Sequence, residues 1–256
     1  MDHVVFLQKL VDTDVAQVRA GLPEGAQKIA PMLAKGSADR DNPTVLKQKL
    51  SRVRSDVKGL FVAKSTFLVI VDEKGVALRN EFEPDAVAGK NLRKALPPSE
   101  AAFKGTAVEF SGTFAELAGI RDTSRDREWI AAAPVPDASG AAGSDHAVLL
   151  TGWSYRLFAR HLHESLKSDI MDAVRAGKTR EPLWYTGVFD ETGVYMSFGT
   201  PQIDEDILTK ESPFEKTKNG PFHAPILITD RHFGYAAART PAMGANTGVI
   251  VLRSEI

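Results

Sequence analysis

Cysteine is absent from the 256 residues. Its absence excludes disulfides, thiolate metal ligands, a thiol nucleophile and covalent haem attachment. It leaves the compartment open, because a chain of this length can bury a core without disulfide staples. The sequence also has no run of roughly 18 or more apolar residues, so the chain as it stands holds no membrane-spanning helix. Its opening, "MDHVVFLQKLVDTDVAQV", lacks the basic start of a signal peptide, and Asp12 and Asp14 interrupt the apolar residues. Charge of one sign is missing too. Lys and Arg number 32 against 33 Asp and Glu, with no charged tail, so nothing electrostatic favours a nucleic acid partner.

Short catalytic signatures are equally scarce. There is no Gly-x-Ser-x-Gly elbow, no Gly-x-x-x-x-Gly-Lys-Ser/Thr phosphate loop and no Gly-x-Gly-x-x-Gly fingerprint. "RHLHESLKSD" offers His161, His163 and Glu164. Helical residues two apart point about 200° apart, whereas paired ligands on one helix need a spacing of four. The reading is a chain with no catalytic residues, no metal site and no cofactor.

The composition that remains, 43% hydrophobic and 25% charged, is that of an ordinary globular protein. Val4, Leu7, Val11, Val15 and Val18 form one apolar stripe and predict a helix. Gly21, Pro23 and Gly25 in "AGLPEGAQ" predict its break or kink, with a short resumption through Ile29, Met32 and Leu33. Another helix is expected after Pro43, with Val45 or Leu46, Leu50, Val53 and Val57 on its buried face.

The periodicity then changes, and one phrase is written twice. "VDEKGVALRN" begins at Val71 and "FDETGVYMSF" at Phe189; Asp72 aligns with Asp190 and Gly75 with Gly193, both 118 residues apart. Each is an Asp-x-x-Gly turn between β-rich runs, the mark of a hairpin. Three further strand candidates follow each hairpin: "TAVEFSGTF", "REWIAAAPVP" and "HAVLLTGWS", then "APILITD", "FGYAAARTP" and "TGVIVLRS". Between the two series, Phe158, Leu162, Leu166, Ile170 and Val174 predict a helix. The expected class is α+β, with two tandem modules of five antiparallel strands. A helical region would span 1–60, the first module 61–156, a connecting helix 157–180 and the second module 181–256.

Such a unit, with a helical connector after its second strand, is PAS-like. Two of them after a long helix resemble the double-Cache sensor domains of bacterial chemoreceptors and histidine kinases. The resemblance rests on "FLVIVDEKGVALR", "PDAVAGKNL" with "AAFKG", "REWIAAAPVPD" and "LLTGWSYRLFARHL". It implies a non-enzymatic domain held outside the cytoplasm between two membrane spans that this chain does not contain. A soluble cytoplasmic PAS- or GAF-like binding or scaffold protein is the alternative, and a hydrolase ranks behind both.

In amino-acid-binding members of that family the fourth-strand region of the first module carries an Arg-x-Trp pair, matched here by Arg127 and Trp129. Strand alternation would set Arg127, Trp129 and Ala131 on one face, a cation and an indole over a small floor. A guanidinium fork suits a carboxylate. The family's last-strand Asp is replaced by Gly152 and Trp153, and Asp122 stands roughly where a Tyr is usual. A small carboxylate is therefore favoured over an α-amine as ligand. Arg79, Asp122 and Tyr155 are further candidate liners, with Arg231 and Tyr235 as a reserve site in the second module. The resemblance also implies a homodimer through the N-terminal helices, although the stripe from Val4 to Val18 would serve helix–sheet packing equally well.

Overall fold

The structure is a computed structural model that describes residues 2–34, 36–118, 126–136, 145–178 and 180–255. It divides into two compact units, Asp14–Ser154 and Met1–Thr13 with Tyr155–Ile256. Each is built on one five-stranded antiparallel sheet.

Helix α1 (Asp2–Leu33) contributes its first turns to one unit and the remainder to the other. The whole stripe from Val4 to Val18 is buried. The helix does not break at "AGLPEGAQ"; Pro23 and Pro31 lie inside it. The glycines there serve packing. A methyl on Gly21 would lie 2.9 Å from the Leu60 amide, and one on Gly59 would lie 2.3 Å from the Gln17 carbonyl. The backbones of α1 and α3 (Lys58–Ala63) thus touch where side chains are missing, and that burial outweighs the amide Pro23 lacks. Helix α2 (Pro43–Asp56) starts at Asn42, whose side chain accepts from the Thr44 and Val45 amides; it buries Leu46, Leu50 and Val53.

In the first unit the sheet comprises β1 (Phe67–Val71), β2 (Ala77–Asn80), β3 (Val108–Gly112), β4 (Glu128–Pro134) and β5 (Val148–Ser154), in the order β2-β1-β5-β4-β3. Phe67, Val69, Val71, Ile130, Ala132, Val148 and Leu150 join one apolar cluster. The connector covers it through Leu92 of α4 (Leu92–Ala95), Phe103 of α5 (Glu100–Phe103) and Leu96. The opposite face lies under helices, since a methyl on Gly25 of α1 would sit within 3.2 Å of Leu149, Val53 and Leu60 side chains.

The second unit repeats the plan. Helix α6 (Tyr155–Arg175) precedes β6 (Pro182–Asp190), β7 (Gly193–Met196), α7 (Gln202–Lys210), α8 (Pro213–Lys216), β8 (Phe222–Ile228), β9 (Arg231–Arg239) and β10 (Gly248–Glu255). Its strand order, β7-β6-β10-β9-β8, is the first sheet's order over again. Phe189, Met196, Leu208, Phe233, Tyr235, Ile250 and Leu252 form its cluster. On the other face, the Thr186 hydroxyl donates to the Ala159 carbonyl of α6 at 2.7 Å. His163 of α6 stacks on Trp184 with ring centroids 5.4 Å apart, so it is a packed residue and not a solvated one. Among the described residues, no helix is long and apolar enough to cross a membrane.

Candidate ligand site

Strand β4 carries the residues singled out from sequence, and alternation sorts them by face. Glu128, Ile130 and Ala132 share a face, with Ile130 and Ala132 in the apolar cluster beneath the connector. Trp129 and Ala131 therefore take the helix-covered face, where both are buried. The Trp129 ring has an aromatic neighbour there. It stacks on Trp153, its register partner on β5, at 5.0 Å between centroids. Trp153 in turn donates its indole N–H to the Ala63 carbonyl at 3.1 Å. The physical reason is the cover: α1 to α3 lie on that face and need large apolar partners.

Arg127 immediately precedes the strand and is half-buried; its amide donates to Asp126 Oδ1 at 2.9 Å. Arg79 on β2 is held by carboxylates of its own loop, Asp85 at 2.7 Å and Glu83. Tyr155 is fully buried but belongs to the second unit, edge-on to Tyr195 at 5.3 Å. Asp122 lies outside the described residues. The structure thus gathers Arg127, Trp129 and Ala131 on one strand region, and sets Arg79 and Tyr155 in other surroundings.

The residue that sequence reasoning passed over is Glu128. Its side chain is fully buried on the connector side of the sheet. Oε2 accepts the Phe114 amide at 2.7 Å, while Oε1 has no hydrogen-bond partner among the described residues. Desolvation, then the nearby Asp126 charge, pushes the carboxyl up to about 7, against the pull of the Phe114 amide and Arg127. Buried Asp126 accepts a hydrogen bond from the hydroxyl of buried Ser154, which pairs with Glu128 across β4 and β5. Two acids and a hydroxyl are gathered at one edge of an apolar cluster. A buried carboxyl with an idle oxygen is destabilising by about 1–3 kcal/mol until some group meets it. The available signal was an acid at the head of "EWIAAAP", on the alternate positions to Trp129.

In the second unit Phe233 and Tyr235 alternate onto the cluster face as the spacing predicts, and Arg231 opens β9 exposed to solvent. The Tyr235 hydroxyl accepts from Lys216 Nζ at 2.9 Å, and burial pushes its pKa up. Asp204 of α7 is also raised by burial, with the Arg231 charge opposing. Among the described residues no group of acids and histidines is arranged to hold a metal ion.

As a sequence the chain matches no family model and no curated protein. As a fold it matches solved sensor domains along its whole length. The periplasmic domain of Vibrio cholerae LuxQ is 12% identical with a TM-score of 0.52, covering 99% of each chain. The ligand-binding domain of the Campylobacter jejuni chemoreceptor Tlp3, solved in complex with L-valine, is 13% identical with a TM-score of 0.53, covering 99% of this chain and 92% of that one. The chain has the double-Cache, PAS-like fold of such domains.

Proposed function

We propose that this chain is the ligand-sensing part of a bacterial signal-transduction receptor, held outside the cytoplasm and without catalytic activity. Its ligand is a small organic acid taken up in the first unit. Glu128 meets a polar group of the ligand on the connector side, and Arg127, which lies before the first residue of β4 and whose charge acts on the Glu128 carboxyl, meets the carboxylate. The observation that carries this reading is the idle, buried Oε1 of Glu128 within a fold shared end to end with sensor domains. A ligand that satisfies that oxygen removes a desolvation penalty, so it favours the arrangement of strands and connector in which Glu128 is enclosed. The population shifts only by the difference in affinity for the two arrangements. Because α1 contributes to both units, it is the segment through which that preference passes on.

Pairing of two copies through α1 would use Val5 and Phe6, since the stripe from Val4 to Val18 is consumed inside the chain.

The test is thermal stability against a panel of amino acids and small mono- and dicarboxylates. A ligand at about 100 times its dissociation constant stabilises by about 2.7 kcal/mol. Arg127→Ala and Glu128→Gln are expected to fold and to lose that stabilisation. A shift that survives both substitutions moves the site elsewhere. Catalytic consumption of the bound compound would replace the sensor by an enzyme.

A further inference from the structure

The second unit holds an open groove of about 470 Å³, within the range of small-molecule sites. Its wall includes His3, His223, Pro225, Gly234, Val251 and Arg253. Register explains the hollow. Pro225, Gly234 and Arg253 lie abreast on β8, β9 and β10, and His223, Ala236 and Val251 form the next rank. The middle strand contributes only Gly234 and Ala236, so the surface dips between the outer strands. A methyl on Gly234 would meet nothing closer than the Arg253 carbonyl at 3.9 Å. The hollow is open space, and its glycine is not kept there by a positive φ.

The lining is one-sided in charge. One guanidinium and two imidazoles surround a floor of Gly234 and Ala236 between Pro225 and Val251, with no carboxylate among the described lining residues. We propose that this groove is a second binding site, for a compact oxyanion such as a phosphate carried on a small apolar body. Arg253 supplies a permanent planar donor fork. His3 supplies a donor that becomes charged as pH falls, and His223 supplies a ring N–H. The groove lies wholly within the second unit, so it stands apart from the ligand assigned to Glu128.

The surroundings give the site a pH sense. Burial and then the Arg253 charge push His3 below its ordinary pKa; Asp169 and Asp2 pull the other way. An anion placed between Arg253 and His3 cancels the repulsion, so binding raises the His3 pKa and takes up a proton. For an anion whose own charge stays constant, affinity therefore increases as pH falls through the histidine range.

Phenyl phosphate is the probe, titrated by calorimetry and by the imidazole proton signals of His3 and His223. Beside it, phenyl sulfate, whose charge is constant over this range, is expected to bind at least about tenfold tighter at about pH 5.5 than at about pH 8, with net proton uptake. Arg253→Gln should lose at least about tenfold in affinity, and Gly234→Val should block the groove by filling it. The double variant His3→Gln, His223→Gln should bind weakly with no pH dependence; it alters only rim positions, which covers failure of the other two to fold. Vesicles with phosphatidylglycerol, beside phosphatidylcholine controls, distinguish a lipid headgroup from a soluble phosphate: competition with phenyl phosphate assigns the headgroup, and its absence assigns the soluble anion. No binding at about 10 mM phenyl phosphate, or equal binding by Arg253→Gln and Gly234→Val, overturns the site.

Discussion

Trp129 and Trp153 stand directly opposite each other on adjacent strands, their rings 5.0 Å apart and inclined by 27°. Both are buried, and only one has its N–H tied to the helices, through the Ala63 carbonyl. The pair joins the first sheet to its helical cover. Trp129→Ala should therefore cost about 3–5 kcal/mol in urea unfolding, the range for a large core aromatic. Trp153→Phe keeps most of the apolar volume and loses the donor, so about 0.5–1.5 kcal/mol is expected beyond any repacking loss. Either change should abolish the exciton couplet of the stacked indoles in circular dichroism. A loss below about 1 kcal/mol for Trp129→Ala would put its ring outside the core.

The helix contact at Gly21 makes a prediction of sign. Inside a helix, Gly→Ala is ordinarily stabilising by about 1 kcal/mol. Here the added methyl would stand 2.9 Å from a backbone nitrogen of α3, which cannot move aside as a flexible side chain would. Gly21→Ala should be net destabilising by about 1–3 kcal/mol, and Gly59→Ala more so, with its methyl 2.3 Å from a carbonyl oxygen. Chemical denaturation decides it: a more stable Gly21→Ala protein means the two helices do not touch there.

Glu128 sets a pH dependence opposite in direction to that of most carboxylates. Its folded pKa, about 7, lies above the ordinary 4.5. Between those values the folded state holds a proton that the unfolded state has released, so stability falls as pH rises through the window. The loss is complete above about pH 7 and amounts to roughly 3 kcal/mol at most. Asp145 behaves in the other sense. Lys104 and then Arg93 hold it at about 2, so its contribution is present above its ordinary 3.8 and disappears as acid is added. The two windows do not overlap. Glu128→Gln should flatten the fall between pH 4.5 and 7 while leaving the acid limb unchanged. A variant with the same slope as the parent places the titrating group elsewhere.

Much of this fold was legible because strands and turns announce themselves locally. The Asp-x-x-Gly phrase marks both hairpins, and β-rich runs of the right length mark the other strands. Gly and Pro are local signals of a break, whereas α1 runs on through Pro23 because tertiary packing against α3 decides. The face of β4 was the harder matter. Alternation states that Trp129 and Glu128 point oppositely, but only the helices, brought from residues far away in sequence, determine which side is covered. An acid at the head of an apolar run carries no mark of burial in the sequence, and only the folded sheet encloses Glu128.

The two hairpin turns, finally, test whether the repeated phrase is repeated physics. Asp72 Oδ1 accepts the amides of Lys74 at 3.0 Å and Val76 at 2.7 Å. Asp190 Oδ1 accepts the Thr192 amide at 2.8 Å and the Thr192 hydroxyl. In both, a short side chain takes the place of a backbone acceptor and holds the turn closed. The first turn has a further demand at Gly75, where φ is +86° and a methyl would strike Arg93 Cβ at 2.3 Å. Removing the acceptor should open either turn, so Asp72→Ala and Asp190→Ala should each cost about 1–2 kcal/mol. Asn keeps an oxygen at the same position, so Asp72→Asn and Asp190→Asn should recover most of that loss. Amide exchange at Val76 and Thr192 gives the local reading: faster in the Ala variants, close to the parent in the Asn variants. If Asn proved as damaging as Ala, charge rather than hydrogen-bond geometry would be what holds the turns, and the likeness of the two phrases would need a different explanation.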